Sequence, residues 1–312
     1  MPMLIMARNP RPTRDSSSPA PQPVAEVVPF NDEMLGDAEE PAFHPRERLV
    51  YSIKWGLFSV GTATLESLPM GEVDGQPARR YVMQVTTNGF ADKFYKLRER
   101  MDSWVAEDFS RSLRYTKQAE GNEERDTEVW FDWEDEQVYY RNYDELREPL
   151  EVEPGPVFDP LGIMYAFRFA QGYSGEPGTA ISMQSCDGKK LVEVDITVHE
   201  RDTLKVPAGK FETVLVEPNT KDLGGVFKKS DDASIQIWYS EDARRIPVRL
   251  KSSVVVGSFT ASLEEITTGD ETTPNLVDFP DPEKREDVKA LAEVLDDSEA
   301  TEPPAGEAAP PS

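Results

Sequence analysis

One stretch near the carboxyl terminus constrains the fold more than any other part of the chain. Residues 235–266 read IQIWYSEDARRIPVRLKSSVVVGSFTASLEEI. Along its middle, one set of positions is mainly apolar and the set between them is polar. The first set is Val248, Leu250, Ser252 and Val254, and the second is Arg249, Lys251 and Ser253. This period of two is typical of an antiparallel strand with one buried face. Pro247 is expected at the start of that strand and Gly257 at a break, so the stretch predicts three strands that need a large β partner.

The same period recurs in short segments across the middle of the chain. The predicted strands are 49–65 with a bend at Gly56, 80–87, 97–105, 113–117, 127–131, 137–140, 190–199, 203–206 and 211–216. One helical turn is predicted at 91–95. The spacing of the strands is close to the roughly 8–12 residues of all-β proteins.

The segment that begins at Asp159 departs from the β pattern and is predicted to form a helix. Asp159 is a good N-cap, and Pro160 suits the first helical position. The residues that follow are apolar on nearly every side of the helix: Leu161, Ile163, Met164, Tyr165, Phe167, Phe169. Such a helix must be covered, and the concave face of the sheet is the simplest cover. We therefore predict a mainly β fold with one large antiparallel curved sheet, a half-barrel or sandwich, and a short helix at about 160–170 packed on it.

Proline content separates the two ends of the chain from this middle. Residues 1–42 hold eight of the 26 prolines, and residues 267–312 hold seven. We predict a single β domain at 43–266 between two disordered tails. The first tail is a proline-, serine- and acid-rich linker, either a plain tail or the connection to a membrane anchor. The second is acidic, and residues 281–295 within it have the spacing of a short helix.

Charge and composition restrict the partners and the compartment. The net charge is −25 and no basic footprint stands out, which speaks against nucleic acid and anionic membrane surfaces. No apolar run approaches the ~20 residues of a transmembrane span. The opening MPMLIMAR lacks the features of a signal peptide as it stands. A single cysteine, Cys186, allows no internal disulfide, which fits both a reducing cytosol and a large periplasmic domain.

Few residues point to catalysis. His44, His199 and Cys186 have no metal-ligand spacing, and the sequence has no phosphate-binding glycine loop or nucleophile elbow. The densest carboxylate cluster lies at a predicted hairpin tip, where we expect a solvated turn: Asp132, Glu134, Asp135, Glu136. We therefore predict no cofactor, no metal and no catalytic residue.

The best candidate for a binding site combines polar and aromatic residues from the helix and from the 235–266 stretch: Tyr165, Arg168, Trp238, Asp242, Arg245. Arg168 lies on an apolar helix, so its charge needs a partner or a route to water. It could form a buried ion pair that holds the helix on the sheet, with a carboxylate such as Asp159 or Asp242. Alternatively, it could anchor a ligand head group at one end of an apolar groove.

Several short motifs occur in a fixed order at 51–56 with 60–63, 159–161 with Tyr165 and Arg168, 206–213, and 237–240 with Asp242, 245–249 and 257–258. Together they resemble the uncharacterised bacterial exported family called domain of unknown function 3108. The resemblance implies a periplasmic or envelope location and a predominantly antiparallel β-fold, and it brings no established catalytic residues. The Trp…Arg-x-Pro-Val hairpin is also similar to one in periplasmic lipoprotein carriers, whose curved half-barrel holds acyl chains. The lack of a visible signal peptide departs from the family and leaves a cytoplasmic location open.

Three functions are compatible with these features of the sequence. The first is a non-enzymatic envelope domain that binds an apolar, lipid-like molecule in a groove covered by the helix. The second is a structural or protein-interaction module without a cavity, with acidic tails that contact an envelope protein. The third and least favoured is a carboxylate-dependent hydrolase, which would need two carboxylates within ~5–10 Å in a cleft.

Overall fold

A computed structural model of the chain describes residues 27–31, 34, 46–170, 175–219, 234–254 and 257–269. These residues form eighteen strands and one α-helix, α1 (Gly162–Phe169). The strands are β1 (Val27–Pro29), β2 (Glu47–Trp55), β3 (Phe58–Ser67), β4 (Gly71–Val73), β5 (Gln76–Thr87), β6 (Leu97–Ala106), β7 (Ser112–Gly121), β8 (Arg125–Asp132), β9 (Gln137–Asn142), β10 (Glu145–Leu146), β11 (Leu150–Glu151), β12 (Val157–Phe158), β13 (Ala180–Cys186), β14 (Leu191–Val206), β15 (Gly209–Pro218), β16 (Ser234–Ser240), β17 (Pro247–Val254) and β18 (Gly257–Thr268).

All the strands belong to one sheet. Its long antiparallel strands run in the order β13-β14-β15-β16-β17-β18-β2-β3-β5-β6-β7-β8-β9, so β18 pairs with β2 and joins the two ends of the folded region. The short strands β1 and β12 pair with β13 in parallel, and β10 and β11 pair with β9. The predicted fold class is therefore confirmed, with two short parallel pairings that the sequence pattern did not predict.

Residues 235–266 contribute to the antiparallel strands β16, β17 and β18. Pro247 begins β17, as predicted. Gly257 begins β18 at a φ of +119°, a value that favours glycine. A Cβ atom at this position would lie 2.6 Å from the indole Nε1 of Trp55, so the neighbouring strand leaves no room for a side chain.

Two predicted strand boundaries are wrong. Residues 49–65 form a hairpin instead of one bent strand, because Gly56 takes a left-handed φ of +56° and the chain reverses between Trp55 and Phe58. The strands predicted at 190–199 and 203–206 form the single strand β14 (Leu191–Val206). Its pairing with β15 shifts register between Val198 and Arg201, and this bulge causes the break in the sequence pattern.

The first tail contains a piece of the fold. Val27–Pro29 in the predicted linker pair with Ala180–Ser182, and the buried ring of Phe30 lies 5.8 Å from that of Phe158 in an edge-on contact. Because this short apolar segment lies among many prolines, the proline content of residues 1–42 assigned it to a disordered tail. The domain boundaries at 43 and 266 otherwise remain predictions, and the predicted helix at 281–295 lies outside the described residues.

Alternation along β5 and β6 gives this part of the sheet two buried faces. The helix face carries Tyr81, Met101 and Val105, which belong to the same core cluster as α1. The opposite face carries Arg80 and Arg100, which are buried as well. Both faces are therefore interior: the helix face is mainly apolar, whereas the opposite face combines charged side chains with the buried Val82 and Trp104.

Candidate functional site

The amino-terminal end of α1 is fixed by a fully buried carboxylate. Asp159 Oδ1 accepts hydrogen bonds from the backbone N–H groups of Leu161 (2.9 Å) and Gly162 (2.8 Å). An N-cap side chain makes contacts of this kind with the first free N–H groups of a helix. Asp159 therefore caps the amino-terminal end of α1, as predicted. The helix itself begins at Gly162, slightly later than predicted.

The second oxygen of Asp159 connects the helix to the sheet. Its Oδ2 accepts hydrogen bonds from the hydroxyls of Ser103 and Ser112, each at 2.6 Å. A Cβ atom at Gly162 would lie 2.7 Å from this oxygen, which explains the glycine in the first turn. Burial raises the pKa of the Asp159 carboxyl, while the hydrogen bonds from the two serines and two backbone amides act to lower it.

The other end of α1 is held by a buried ion pair. The Arg168 guanidinium donates to both carboxylate oxygens of Glu47 on β2, at 2.9 and 3.3 Å, and both side chains are almost fully buried. The prediction that the partner would be Asp159 or Asp242 is wrong. Glu47 was missed because it precedes the first predicted strand, at the border of the expected linker. Burial acts to lower the pKa of Arg168, but the charge and hydrogen bond of Glu47, together with the nearby Tyr165 and Tyr51, raise that pKa above its ordinary value.

The turn between β16 and β17 closes on the same end of the helix. Arg168 also donates from Nε (3.3 Å) and Nη2 (2.8 Å) to the carbonyl oxygen of Arg244. Arg245 donates from Nη1 to the carbonyl oxygen of Ala170, at the end of α1, where carbonyl groups have no intrahelical partner. We call the set of Glu47, Arg168, Arg244 and Arg245 the helix clamp.

Aromatic rings of α1 and of the sheet contact each other between the helix and the strands. The ring of Tyr165 lies flat on that of Tyr81, with centroids 3.7 Å apart, and the ring of Phe167 lies 5.2 Å from that of Tyr239. Burial raises the pKa of Tyr165 and that of Tyr81 well above their ordinary value. These phenols therefore stay neutral at any physiological pH, and the interface beneath the helix is a hydrophobic contact with polar attachments at its two ends.

The structure thus brings together three of the five predicted site residues. Tyr165, Arg168 and Arg245 meet around the carboxyl end of α1. Asp242 lies in the neighbouring exposed turn, where it accepts from the Ser240 hydroxyl at 2.7 Å and pairs with Arg244 at 2.7 Å.

Trp238 points away from this group. It is half-buried, lies between Leu215 and Arg249 in the sheet, and alternates with the buried Ile237 and Tyr239. It packs against the margin of the main core cluster.

A second cluster, which the sequence did not reveal, lies on the sheet face that points away from the helix. We call it the arginine face, and it comprises Arg48, Glu66, Arg80, Arg100, Asp102, Arg114, Glu128 and Arg141. Asp102 accepts from Arg80 at 2.9 Å and from Arg100 at 2.6 and 2.8 Å. Glu128 likewise bridges Arg114 and Arg141, each at 2.6 Å. In the sequence, this cluster is visible only as polar residues at alternate positions of β5 to β7. The same alternation is typical of strands whose polar face is exposed to water, so it did not predict a buried cluster.

The other groups that the sequence analysis considered lie in ordinary structural settings in the described part of the chain. Asp132 Oδ1 accepts from the backbone N–H groups of Glu134 and Asp135, so that carboxylate cluster is an exposed turn. Burial raises the pKa of the Cys186 thiol to about 11, which disfavours the reactive thiolate. Among the described residues, no group of three or more histidine, cysteine or acidic side chains is arranged to hold a metal ion. No described helix is long and apolar enough to cross a membrane.

The fold and the clamp define a mainly β domain whose open sheet covers a single short helix. The family model for the group described as "Protein of unknown function (DUF3108)" matches residues 50–264. The chain therefore belongs to this family, and the resemblance inferred from its motifs is confirmed. No curated protein matches the chain.

Three of the similar solved structures are bacterial proteins. A β-barrel-like protein of domain of unknown function DUF1849 from Brucella abortus is 10% identical, with a TM-score of 0.49 and coverage of 73% of this chain and 99% of the other. A candidate exported protein with a YmcC-like fold from Bacteroides fragilis is 11% identical, with a TM-score of 0.33 and coverage of 73% and 98%. A candidate lipoprotein from Parabacteroides distasonis is 11% identical, with a TM-score of 0.29 and coverage of 73% and 97%.

Proposed function

We propose that this chain is a non-enzymatic β-domain of the bacterial cell envelope that binds an apolar, lipid-like molecule between α1 and the sheet. The observation that carries the proposal is the way in which α1 is attached. Polar contacts hold the helix at its two ends, through Asp159 and through Arg168, and the surface between those ends is apolar. A helix held in this way can move outward at one end without breaking a backbone ladder.

The lining beneath α1 determines the class of ligand. Tyr81 on β5 and Phe109 in the β6–β7 turn contact rings of the helix, and they belong to a core cluster of large aliphatic and aromatic side chains that includes α1, Ile181 and Met183. Such a surface favours a hydrocarbon chain, because apolar area removed from water is the main source of affinity in pockets of this kind. A charged head group would lie near the helix clamp, where the predicted site residues Arg168, Tyr165 and Arg245 meet, with Asp242 in the adjacent turn and Trp238 further along the sheet.

Weakening the clamp tests the proposal. Glu47→Gln keeps the shape of the side chain and removes the charge opposite Arg168. The full-length protein and this variant would be mixed with cis-parinaric acid, a fluorescent acyl chain, and uptake would be followed over time. We expect both proteins to take up the probe and the variant to do so several-fold faster, because α1 moves away more readily.

The matched control is Glu176→Gln. Glu176 forms an equally direct ion pair with Arg201, but both side chains are largely exposed and neither residue belongs to α1 or to the clamp. This variant should behave as the unaltered protein does. Native mass spectrometry of the purified chain would supply a second readout, since a co-purifying lipid would add a discrete mass.

A structural or protein-interaction module is the alternative. It would take up no acyl probe in either form and would carry no lipid mass. That result would contradict the proposed ligand, while fractionation of the producing cells would test the envelope location separately. A protein found in the cytosolic fraction would contradict the location but not the ligand.

A further inference from the structure

Six large apolar side chains are exposed together at one end of the sheet. They lie in the β2–β3 hairpin and in the connection between β5 and β6: Trp55, Leu57, Phe58, Phe90, Phe94, Tyr95. Leu57 is 95% exposed and Phe94 is 76% exposed, which is unusual for side chains of this size. We call these six residues the aromatic rim. Isolated exposed apolar residues need no explanation, but a contiguous group of them marks an interaction site.

Ring contacts join the two segments into one surface. The rings of Phe58 and Phe90 stack with centroids 5.9 Å apart, and Phe94 meets Phe90 edge-on at 5.7 Å. On the other side, the ring of Trp55 stacks on that of Phe259 in β18 at 6.4 Å. The rim therefore continues across four neighbouring strands.

Polar contacts behind the rim hold it in a fixed shape. The Asn88 side chain donates to the carbonyl oxygen of Ser59 at 2.8 Å and accepts from the backbone N–H groups of Phe90 and Ala91. Asp92 pairs with Arg98 at 2.7 Å beneath the same connection. The exposed rings are thus presented by an ordered scaffold, and the free protein need not lose much entropy when they bind.

Lysines surround the rim although the chain as a whole is strongly acidic. Lys54, Lys93 and Lys96 are exposed, and none of the three forms an ion pair within the described residues. The one acid in these two segments, Asp92, is already paired with Arg98. At one edge of the rim, the Tyr95 hydroxyl is hydrogen-bonded to Glu123 from the β7–β8 turn, so the positive charge of this surface is that of the three lysines.

We propose that the aromatic rim docks on a membrane surface that contains anionic lipids. Tryptophan, tyrosine and phenylalanine rings are favoured at the level of the lipid head groups, and nearby lysines are attracted to anionic phosphates. A protein partner fits this composition less well, because lysine is depleted from protein–protein interfaces. The docking surface is separate from the helix clamp and departs, for this one end of the molecule, from the expectation that anionic membranes are excluded.

Vesicle flotation with the full-length protein tests the proposal. The vesicles would contain phosphatidylethanolamine with phosphatidylglycerol, and phosphatidylcholine vesicles would serve as the uncharged comparison. We expect flotation with the anionic vesicles and at least roughly tenfold weaker binding to the neutral ones or at high salt, because exposed charges are screened. Absence of binding to the anionic vesicles would overturn the proposal.

Variants locate the contact. Leu57→Ser and Phe94→Ser remove the most exposed side chains, so both should fold with an unchanged melting temperature and bind anionic vesicles about tenfold more weakly. Leu191→Ser, at an exposed apolar position in β14, is the matched control and should bind normally. Lys93→Glu should weaken binding, whereas Lys210→Glu in the β14–β15 hairpin should not.

The two kinds of variant separate this inference from the proposed ligand site. Rim variants that lose vesicle binding but still take up cis-parinaric acid would support a distinct docking surface. Rim variants that bind vesicles as well as the unaltered protein does would overturn it, whatever the clamp variants show. Self-association that depends on the rim, in a protein that does not bind vesicles, would assign the surface to a second copy of the chain instead.

Discussion

The two faces of β5 and β6 are both buried, but they are stabilised in opposite ways. On the helix face, Tyr81 stacks on Tyr165, and hydrophobic contact dominates. On the arginine face, Asp102 is bonded to Arg80 and Arg100, and Arg80 also lies over the buried ring of Trp104, so charge pairs are combined with apolar packing. The comparison shows that alternation along a strand identifies two environments without saying which of them is exposed to water.

The difference has an energetic consequence. Apolar side chains on the helix face gain free energy in proportion to the area removed from water. Buried charges gain little in net terms, because their attraction is offset by desolvation, but removal of one partner leaves the other uncompensated. The arginine face should therefore tolerate single substitutions less well than the helix face does.

The largest expected effect follows from Asp102→Ala. This change leaves the buried guanidinium groups of Arg80 and Arg100 without the carboxylate that they share, and we expect a loss of about 4–5 kcal/mol of unfolding free energy. Urea unfolding of the full-length protein would measure it. Glu176→Ala breaks an exposed pair with Arg201 and should cost only a small fraction of that, because surface pairs contribute little to stability. A similarly small loss for Asp102→Ala would mean that water reaches the arginine face.

Neighbouring aromatic residues on β16 extend the comparison to the other half of the sheet. Tyr239 faces the helix and is buried, so Tyr239→Ala should cost roughly 3–5 kcal/mol of unfolding free energy. Trp238 points the other way and is half-buried, so Trp238→Ala should cost only about 1–2 kcal/mol. Urea unfolding of both variants would measure the difference, and equal losses would show that both faces are closed here as well.

A smaller effect is expected from Gly162→Ala. Alanine is normally the better helix former, yet a Cβ atom here would lie 2.7 Å from Asp159 and 2.9 Å from the hydroxyl of Ser112. We expect a loss of about 1–3 kcal/mol from overpacking, measured by urea unfolding. Gly155→Ala, where no atom lies within 4 Å of the new Cβ, should change stability by about 0.5 kcal/mol at most. Stabilisation by Gly162→Ala would contradict the close contact between cap and sheet.

The smallest effect concerns pH. Asp159 has a pKa raised above its ordinary 3.8, so on acidification it takes up a proton in the folded state before it does so in the unfolded state. With respect to this group, stability rises as pH falls towards that range. Asp92 and Asp242, whose pKa values are lowered, act in the opposite direction in any variant. Urea unfolding at several pH values should therefore show the unaltered protein gaining stability relative to Asp159→Asn on acidification, and a relative loss would contradict the assignment.

Much of the fold could be predicted from local residue patterns. Pro247 and Gly257 mark strand ends because their backbones limit what a strand can accept, and Asp159 marks the start of the helix for a similar local reason. The family followed from the order of short motifs. These features depend on residues that are close in sequence.

The features that could not be predicted depend on distant residues. The partner of Arg168 is Glu47, 121 positions away, and no spacing rule connects them. The arginine face required knowing that the sheet buries both of its surfaces. The aromatic rim required knowing that the β2–β3 hairpin and the β5–β6 connection end side by side, since each segment alone has only a few exposed rings.

The central claim is that α1 is held on the helix face by the buried pair of Arg168 and Glu47. A double-mutant cycle of Arg168→Met and Glu47→Met, followed by urea unfolding of the full-length protein, tests it most directly. Each single change should cost about 3–5 kcal/mol, and the double variant should recover at least about 2 kcal/mol of their sum, because no charge is then left unpaired. Losses that add to within about 0.5 kcal/mol would mean that the two residues do not interact and would contradict the claim.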